Sequence, residues 1–215
     1  MAVRFCLPRH SMKDKYASIR TFFEENDPLI YPYVKQIDYD VWFARRPRDG
    51  DHPYFHALCR AIIGQQLSGK AADTIYGRFR DLVGAVSPET IRAIEDQELR
   101  DAGMSLGKIS YINDLAGKVS SKEIELESLE ALSDTEVIKE LTSVKGIGEW
   151  TAEMFLMFTL NRDDIFSYGD LGLKNGFAKV YKIENPTKVD IQPIIDTWSP
   201  YKTYGSIALW VSLDS

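Results

Sequence analysis

Cysteine, histidine and long apolar runs are scarce in this sequence. Its 215 residues include two cysteines, Cys6 and Cys59, and three histidines, His10, His52 and His56. Two cysteines cannot build a disulfide framework or supply the four thiolates of a zinc or iron-sulfur site. Three histidines close together in the chain indicate neither a histidine-centred metal site nor a catalytic triad. No apolar run approaches the roughly 20 residues of a membrane span. The composition predicts a soluble globular protein, and the two cysteines indicate a reducing compartment.

The chain also has no excess of positive charge. The chain has 26 lysines and arginines against 32 aspartates and glutamates, a net charge of −6. This balance argues against a protein that coats nucleic acid through bulk positive potential, but it leaves room for a local grip on a few phosphates. The N-terminal segment MAVRFCLPRHSMK lacks the apolar core of a signal peptide, which argues against secretion and leaves an organelle-targeting role open.

Stretches that alternate with period two are few, whereas helical signals recur along the chain. We therefore predict an all-α fold of one large domain or two small lobes. The individual signals are an amphipathic segment over residues 15 to 26, an apolar stripe of Phe55, Leu58 and Ile62, a helix over residues 71 to 82, a capped start at Ser87 and Pro88, a helix over residues 107 to 119, a capping box of Ser133 and Glu136, and an apolar helix over residues 151 to 160.

The stretch VKGIGEWTA, residues 144 to 152, interrupts this helical pattern. A helix on either side leaves residues 144 to 148 as a short hairpin. Gly146 and Gly148 permit a positive φ and a close approach of another backbone. The exposed N–H groups of such a turn, the start of the next helix and Lys145 together suit one anionic oxygen. The sequence therefore predicts a phosphate clamp, with a plain turn between helices as the alternative.

Four segments resemble the helix-hairpin-helix (HhH-GPD) superfamily of DNA glycosylases and occur in the order typical of that family. They are IIGQQLSGKAADTIYGRF, GMSLGKISYINDLA, LTSVKGIGEWTAEMFLMFTLNRDDIFSYGDLGLKNGF and WSPYKTYGSIALW. The last is similar to the end of the 3-methyladenine glycosylase II branch, AlkA-like and yeast-type. The resemblance implies a bilobal all-α fold with a central cleft and no N-terminal β domain. One lobe would hold residues 51 to 165, with the hairpin motif at 134 to 160, and residues 1 to 50 and 166 to 215 would form the other.

The resemblance assigns catalysis to Asp170, in the sequence GDLG. Loss of a purine base leaves positive charge on the sugar, which a nearby carboxylate stabilises electrostatically. The alternative role for Asp170 is an N-cap of the helix that begins at Leu171, and both roles are compatible. Asp163 and Asp164 are nearby carboxylates, but they are typical of solvated turn residues.

The resemblance also implies how the base is held. Members that cut the DNA strand carry a lysine at the position of Trp150 and form a Schiff base with it, so tryptophan predicts a monofunctional enzyme. Trp150 and Trp210 would face an alkylated, cationic purine, which aromatic rings attract. Met154 would line the same pocket. Core packing is the alternative for Trp210 and for Met154.

Base flipping needs a wedge, and the resemblance assigns it to the loop between two helices. Gln66 is the first candidate, Leu67 the second and Gln65 the third, with an ordinary polar loop as the alternative. Ser68 and Lys70 would hold neighbouring phosphates.

The resemblance further implies a monovalent cation, Na⁺ or K⁺, on main-chain carbonyls of the hairpin. By position these belong to Thr142, Val144 and Ile147. No organic cofactor is expected.

The expected partner is double-stranded DNA with alkylated bases, bound by a monomer in the bacterial cytoplasm or nucleoid or in a eukaryotic nucleus, with no membrane partner. Two other functions stay open. They are a non-catalytic DNA-damage-binding module and a bifunctional glycosylase for oxidised bases.

Overall fold

The computed structural model describes residues 9 to 44 and 51 to 214, with side chains from residue 12 to 43 and from 51 to 214. Cys6 and the remainder of the first eight residues lie outside these ranges, as does the side chain of His10. Every regular element in the described ranges is helical, which confirms the all-α prediction. None of these helices combines the length and apolar character needed to cross a membrane.

The described residues form thirteen α-helices and one 3-10 helix. In chain order they are α1 (Arg9–Asn26), α2 (Tyr31–Val34), α3 (Tyr39–Ala44), α4 (Pro53–Gly64), α5 (Gly69–Val83), α6 (Pro88–Ala93), α7 (Asp96–Asp101), α8 (Leu106–Ser120), a 3-10 turn (Leu126–Ala131), α9 (Asp134–Thr142), α10 (Glu149–Phe158), α11 (Leu171–Tyr181), α12 (Lys188–Asp196) and α13 (Lys202–Leu213).

The chain divides into two compact units. The first combines Met1–Ala44 with Arg162–Ser215, and the second is Arg45–Asn161. The first unit therefore contains α1 to α3 and α11 to α13, and the second contains α4 to α10.

The first unit is built around the pair α11 and α13. These helices approach closely at Gly176, where an added Cβ would lie 2.4 Å from the carbonyl oxygen of Leu209. Trp198 is fully buried beside them, and its Nε1 donates to the buried carboxylate of Asp27 at 2.7 Å. The hydroxyl of Tyr181 also donates to Asp27. Burial and this carboxylate raise the pKa of Tyr181, so the phenol stays a donor and the buried charge stays satisfied.

The second unit has α10 at its centre. All residues from Thr151 to Phe158 are buried, as expected for a helix that is apolar nearly all round. The predicted stripe on α4 is confirmed, since Phe55, Leu58 and Ile62 are each at most 1% exposed. Cys59 is a buried free thiol on the same helix, and burial raises its pKa.

Helix starts follow the capping signals closely. The Ser87 hydroxyl accepts the Thr90 N–H at 3.2 Å, and Pro88 is the first residue of α6. Ser133 and Glu136 form the predicted capping box at the start of α9. Helix α5 begins at Gly69 rather than Ala71, because Ser68 takes the extended N-cap conformation immediately before it.

Candidate functional site

Asp170 caps the start of α11. Its Oδ1 accepts the backbone N–H of Leu173 at 2.7 Å, so the predicted N-cap role is confirmed. The residue is only 9% exposed. A capping bond and burial together hold the carboxylate in one orientation, as a preorganised electrostatic group requires.

A second donor reaches the same oxygen from α13. Trp210 Nε1 donates to Asp170 Oδ1 at 3.1 Å, so the structure brings together two of the predicted site residues. The ring of Trp210 also lies against Gly172, where an added Cβ would be 3.0 Å from Nε1. Trp210 is partly exposed, whereas Trp198 is the fully buried tryptophan, so core packing alone does not describe Trp210.

Sequence reasoning missed a third residue, Trp42 on α3. Its ring stacks on Trp210 with centroids 6.0 Å apart and an interplanar angle of 9°. An aromatic pair thus lies beside the buried carboxylate within the first unit. Nothing in the sequence around Trp42 marks it, because its partner lies at the far end of the chain.

Asp163 and Asp164 differ from the prediction of solvated turn residues. Asp163 accepts from Lys15 Nζ at 2.8 Å and from the Tyr204 hydroxyl at 2.8 Å. Asp164 accepts from the Ser199 hydroxyl. Both carboxylates are partly buried and tie the segment before Asp170 to neighbouring helices, a structural role that their sequence context does not reveal.

The hairpin, residues 143 to 148, joins α9 and α10 in the second unit as predicted. Gly146 has φ of +77°, and an added Cβ would lie 2.1 Å from the ring of Tyr111. Gly146 therefore meets both conditions that favour glycine. At Gly148 the expected positive φ and close approach are not found: its φ is −92°, and no other group lies within 4 Å of an added Cβ. Its contact with a phosphate stays a prediction.

Only part of Lys145 is open to a phosphate, as the predicted clamp requires. Its backbone N–H donates to Asp114 Oδ2 at 2.9 Å, so that amide is already satisfied within the protein. Its ammonium is 68% exposed and lies 3.9 Å from Asp114 Oδ1. The open surface at Gly148, together with the first amides of α10, leaves the start of this helix accessible to an anion.

The predicted wedge residues form the turn between α4 and α5, which we call the wedge turn, residues 65 to 67. Gln66 is exposed and has φ of +58°, an uncommon conformation for a residue with a side chain. Gln65 Nε2 instead donates to the carbonyl of Gly146 in the hairpin at 2.8 Å. Ser68 and Lys70 follow at the exposed start of α5, and Ser68 makes no side-chain capping bond there.

Trp150 and Met154 lie one turn apart on α10. Trp150 is 47% exposed at the start of the helix. Met154 is only 7% exposed, which agrees with the core alternative for this residue. These two residues belong to the second unit, whereas Asp170, Trp210 and Trp42 belong to the first.

The carbonyls of the predicted cation site lie at the end of α9 and in the hairpin. Val144 O accepts the Ile147 N–H at 3.1 Å, which leaves its second lone pair for a ligand. Thr142 is the last residue of α9, where helix carbonyls lack intrahelical partners. Main-chain oxygens suit a hard cation, and the site stays a prediction. Within the described residues no three histidine, cysteine, aspartate or glutamate side chains cluster as metal ligands.

The structure is all-helical in its described residues, with a hairpin between two helices and a capped aspartate beside tryptophans, as the sequence resemblance implied. The family described as HhH-GPD superfamily base excision DNA repair protein matches residues 59 to 200. The chain belongs to this family.

Individual relatives agree with this assignment. The chain is 36% identical over 170 residues to DNA-3-methyladenine glycosylase 1 of Schizosaccharomyces pombe, covering 77% of this chain and 74% of the relative. It is 35% identical to DNA-3-methyladenine glycosylase of Saccharomyces cerevisiae, covering 72% of this chain but only 56% of the relative. The structure of S. pombe 3-methyladenine DNA glycosylase (Mag1) with abasic DNA superposes with a TM-score of 0.76 at 32% identity, covering 90% of this chain and 95% of that one.

Proposed function

We propose that this protein is a monofunctional DNA glycosylase that hydrolyses the N-glycosidic bond of alkylated purines such as 3-methyladenine and leaves an abasic site. Membership of the base excision repair family and similarity to relatives named 3-methyladenine glycosylases support the proposal. The observation that carries it is the Asp170 carboxylate, which is nine-tenths buried, fixed by two N–H donors and adjacent to an aromatic pair.

Asp170 would act on the sugar. As the base departs, the sugar becomes an oxocarbenium-like cation, and a fixed carboxylate about 4 Å away would stabilise it by roughly 4 kcal/mol at an effective dielectric constant near 20. Because the Leu173 and Trp210 donors already orient the carboxylate, little reorganisation is needed during the reaction. The same carboxylate can orient the attacking water.

The tryptophans would select the base. A purine alkylated at N3 or N7 is cationic, and an aromatic face attracts a cation by roughly 0.5 to 2 kcal/mol. Trp210 and Trp42 supply parallel rings beside Asp170, and Trp150 is exposed enough to offer its own ring. Met154 is buried, so we assign it to the core of the second unit rather than to a base contact.

The residue at position 150 supports the monofunctional assignment. Position 150, where strand-cutting members of the superfamily carry lysine, is tryptophan. An indole cannot form a Schiff base with the sugar, so water is the nucleophile that remains. The product is then an abasic site in an uncut strand.

The second unit would hold the DNA. The hairpin, with Gly148 and the start of α10, would bind a backbone phosphate, assisted by the Lys145 ammonium and a monovalent cation on the hairpin carbonyls. Ser68 and Lys70 would contact neighbouring phosphates. Gln66, with Leu67 behind it, would fill the space left by the flipped nucleotide. We propose that the enzyme does this as a monomer inside the cell, in bacterial cytoplasm or a eukaryotic nucleus.

Incubation with methylated duplex DNA tests the proposal. Chromatography should detect free 3-methyladenine, and the DNA strand should break only after alkali treatment. Sodium borohydride should trap no covalent protein–DNA adduct. Tight binding to methylated DNA without base release would instead indicate a damage-binding module, and a borohydride adduct would indicate a bifunctional enzyme.

A further inference from the structure

The wedge turn and the hairpin are joined by a direct hydrogen bond. Gln65 Nε2 donates to Gly146 O at 2.8 Å across 81 residues of sequence. The accepting carbonyl belongs to the residue whose positive φ creates the hairpin. A side chain bonded in this way is not available to enter the DNA, so Gln65 differs from its exposed neighbour Gln66.

Helix α8 supports both segments from one face. Lys108, Tyr111 and Asp114 are spaced three residues apart and therefore lie on the same side of the helix. Lys108 Nζ donates to Ile63 O at 2.7 Å, near the end of α4 and just before the wedge turn. A lysine at this end of a helix also complements the negative end of its dipole.

The other two side chains of this face hold the hairpin. The ring of Tyr111 lies against Gly146, where an added Cβ would be 2.1 Å away. Asp114 Oδ2 accepts the N–H of Lys145 at 2.9 Å. The hairpin is therefore bonded directly to the wedge turn through Gln65, and α8 holds both the hairpin and the end of α4 that precedes the wedge turn.

The Gln65 bond helps to hold the strained backbone of the wedge turn. Gln66 has φ of +58°, a conformation that persists in a residue with a side chain only where its surroundings enforce it. Gln65 immediately precedes it as the C-cap of α4, with a non-helical ψ of 133°, and its side chain donates to the hairpin. The Gln65 bond thus constrains the direction in which Gln66 points.

We infer that Gln65 is a positioning residue that locks the wedge turn to the DNA-gripping hairpin, so that the grip on the phosphate backbone and the insertion of Gln66 occur as one event. This inference rests on the proposed function, in which Gln66 enters the duplex. It replaces the assignment of Gln65 as a wedge candidate.

Gln65→Met tests the inference, because methionine keeps the length of the side chain and removes the donor. Affinity for undamaged duplex, measured by fluorescence anisotropy, should stay within about twofold of the wild type. Base flipping, measured with 2-aminopurine beside a tetrahydrofuran abasic analogue, should fall by about threefold to tenfold, as the loss of one hydrogen bond predicts. Gln97→Met is the matched control, since it removes the equivalent 2.8 Å bond from Gln97 to Asp101 within α7. It should change neither measurement.

A double-mutant cycle shows whether Gln65 acts by positioning Gln66 or by contacting the DNA itself. If Gln65 acts through the wedge, Gln65→Met should have no further effect on flipping in a Gln66→Ala background. Additive losses, a flipping signal equal to the wild type, or a parallel loss of affinity for undamaged DNA would each overturn the inference. The 2-aminopurine signal requires no bond cleavage, so failure of base release in the wild type would reject the proposed function separately.

Discussion

The two units present their candidate functional groups in different ways. In the first unit, Asp170 and Trp210 are side chains held by hydrogen bonds and by the close approach of α11 and α13. In the second unit, the hairpin and the wedge turn offer backbone groups and exposed side chains in specific conformations. We therefore expect mutations at Asp170 and Trp210 to remove chemistry while DNA binding survives, and mutations at the phosphate-binding side of the hairpin to weaken the hold on DNA.

The strongest test of this comparison is Asp170→Asn. Asparagine retains an oxygen that can cap the Leu173 N–H, so α11 should stay intact, but the negative charge is lost. The rate of 3-methyladenine release should fall by about 100-fold or more, as on removal of a main electrostatic stabiliser. Affinity for abasic DNA should stay within about twofold of the wild type.

Asp163→Asn is the matched control for this variant. Asp163 is a nearby carboxylate paired with Lys15 and Tyr204, so its loss should lower thermal stability rather than catalysis. If Asp163→Asn slows base release as strongly as Asp170→Asn, the catalytic assignment of Asp170 is wrong.

In the second unit, alanine substitutions at the two glycines of the hairpin should differ most in their effect on stability. Gly146→Ala should destabilise the protein by about 1 to 3 kcal/mol, because the new methyl group meets Tyr111 and the positive φ is strained. Position 148 has an ordinary φ and open space but is the N-cap of α10, where alanine is less favourable than glycine, so Gly148→Ala should lower the free energy of unfolding by no more than about 1 kcal/mol. Urea denaturation measures both changes.

Measuring DNA affinity shows whether Gly148 contacts a phosphate or only serves the fold of the hairpin. A phosphate that approaches the open side of Gly148 would meet the added methyl group, so Gly148→Ala should weaken duplex binding although the fold is intact. Unchanged binding by a well-folded Gly148→Ala protein would remove this glycine from the proposed phosphate site.

A smaller effect is expected from Trp210→Phe, which keeps an aromatic ring and removes the donor to Asp170. Loss of a hydrogen bond to a charged group costs about 1.5 kcal/mol, so base release should slow by about tenfold in single-turnover kinetics. Trp42→Phe keeps the stack without touching that bond, and its effect should be smaller. Equal rates for the Trp210→Phe and wild-type proteins would mean that the indole donor does not orient the carboxylate.

The sequence predicted features that depend on local signals. The helices, the caps at Ser87, Ser133 and Asp170, and the positive φ of Gly146 each follow from a few neighbouring residues. The family resemblance supplied Asp170 and Trp210, which the structure joins by a hydrogen bond. Neither the spacing nor the composition of the chain could have supplied that pairing.

The sequence did not predict features that depend on contacts between distant segments. Trp42 was missed because its stacking partner lies in the last helix. Asp163 and Asp164 looked like solvated residues because Lys15, Tyr204 and Ser199 are remote in sequence. Gly148 was grouped with Gly146, although the two glycines differ in φ and only Gly146 lies against a distant side chain, the ring of Tyr111.

The last prediction concerns Ser133, which caps a helix of the second unit as Asp170 caps one of the first but touches no candidate site residue. Ser133→Ala should lower the free energy of unfolding by about 1 kcal/mol and leave base release unchanged, because Ser133 serves only the start of α9. Hydrogen bonds from Ser133 lower the pKa of Glu136, so the stability from this pair is present above the ordinary value of 4.5 and is lost as pH falls through the lowered pKa. The stability difference between wild type and Ser133→Ala should therefore shrink on acidification in urea titrations. A difference that stays constant from neutral to acidic pH would show that the hydroxyl acts without Glu136.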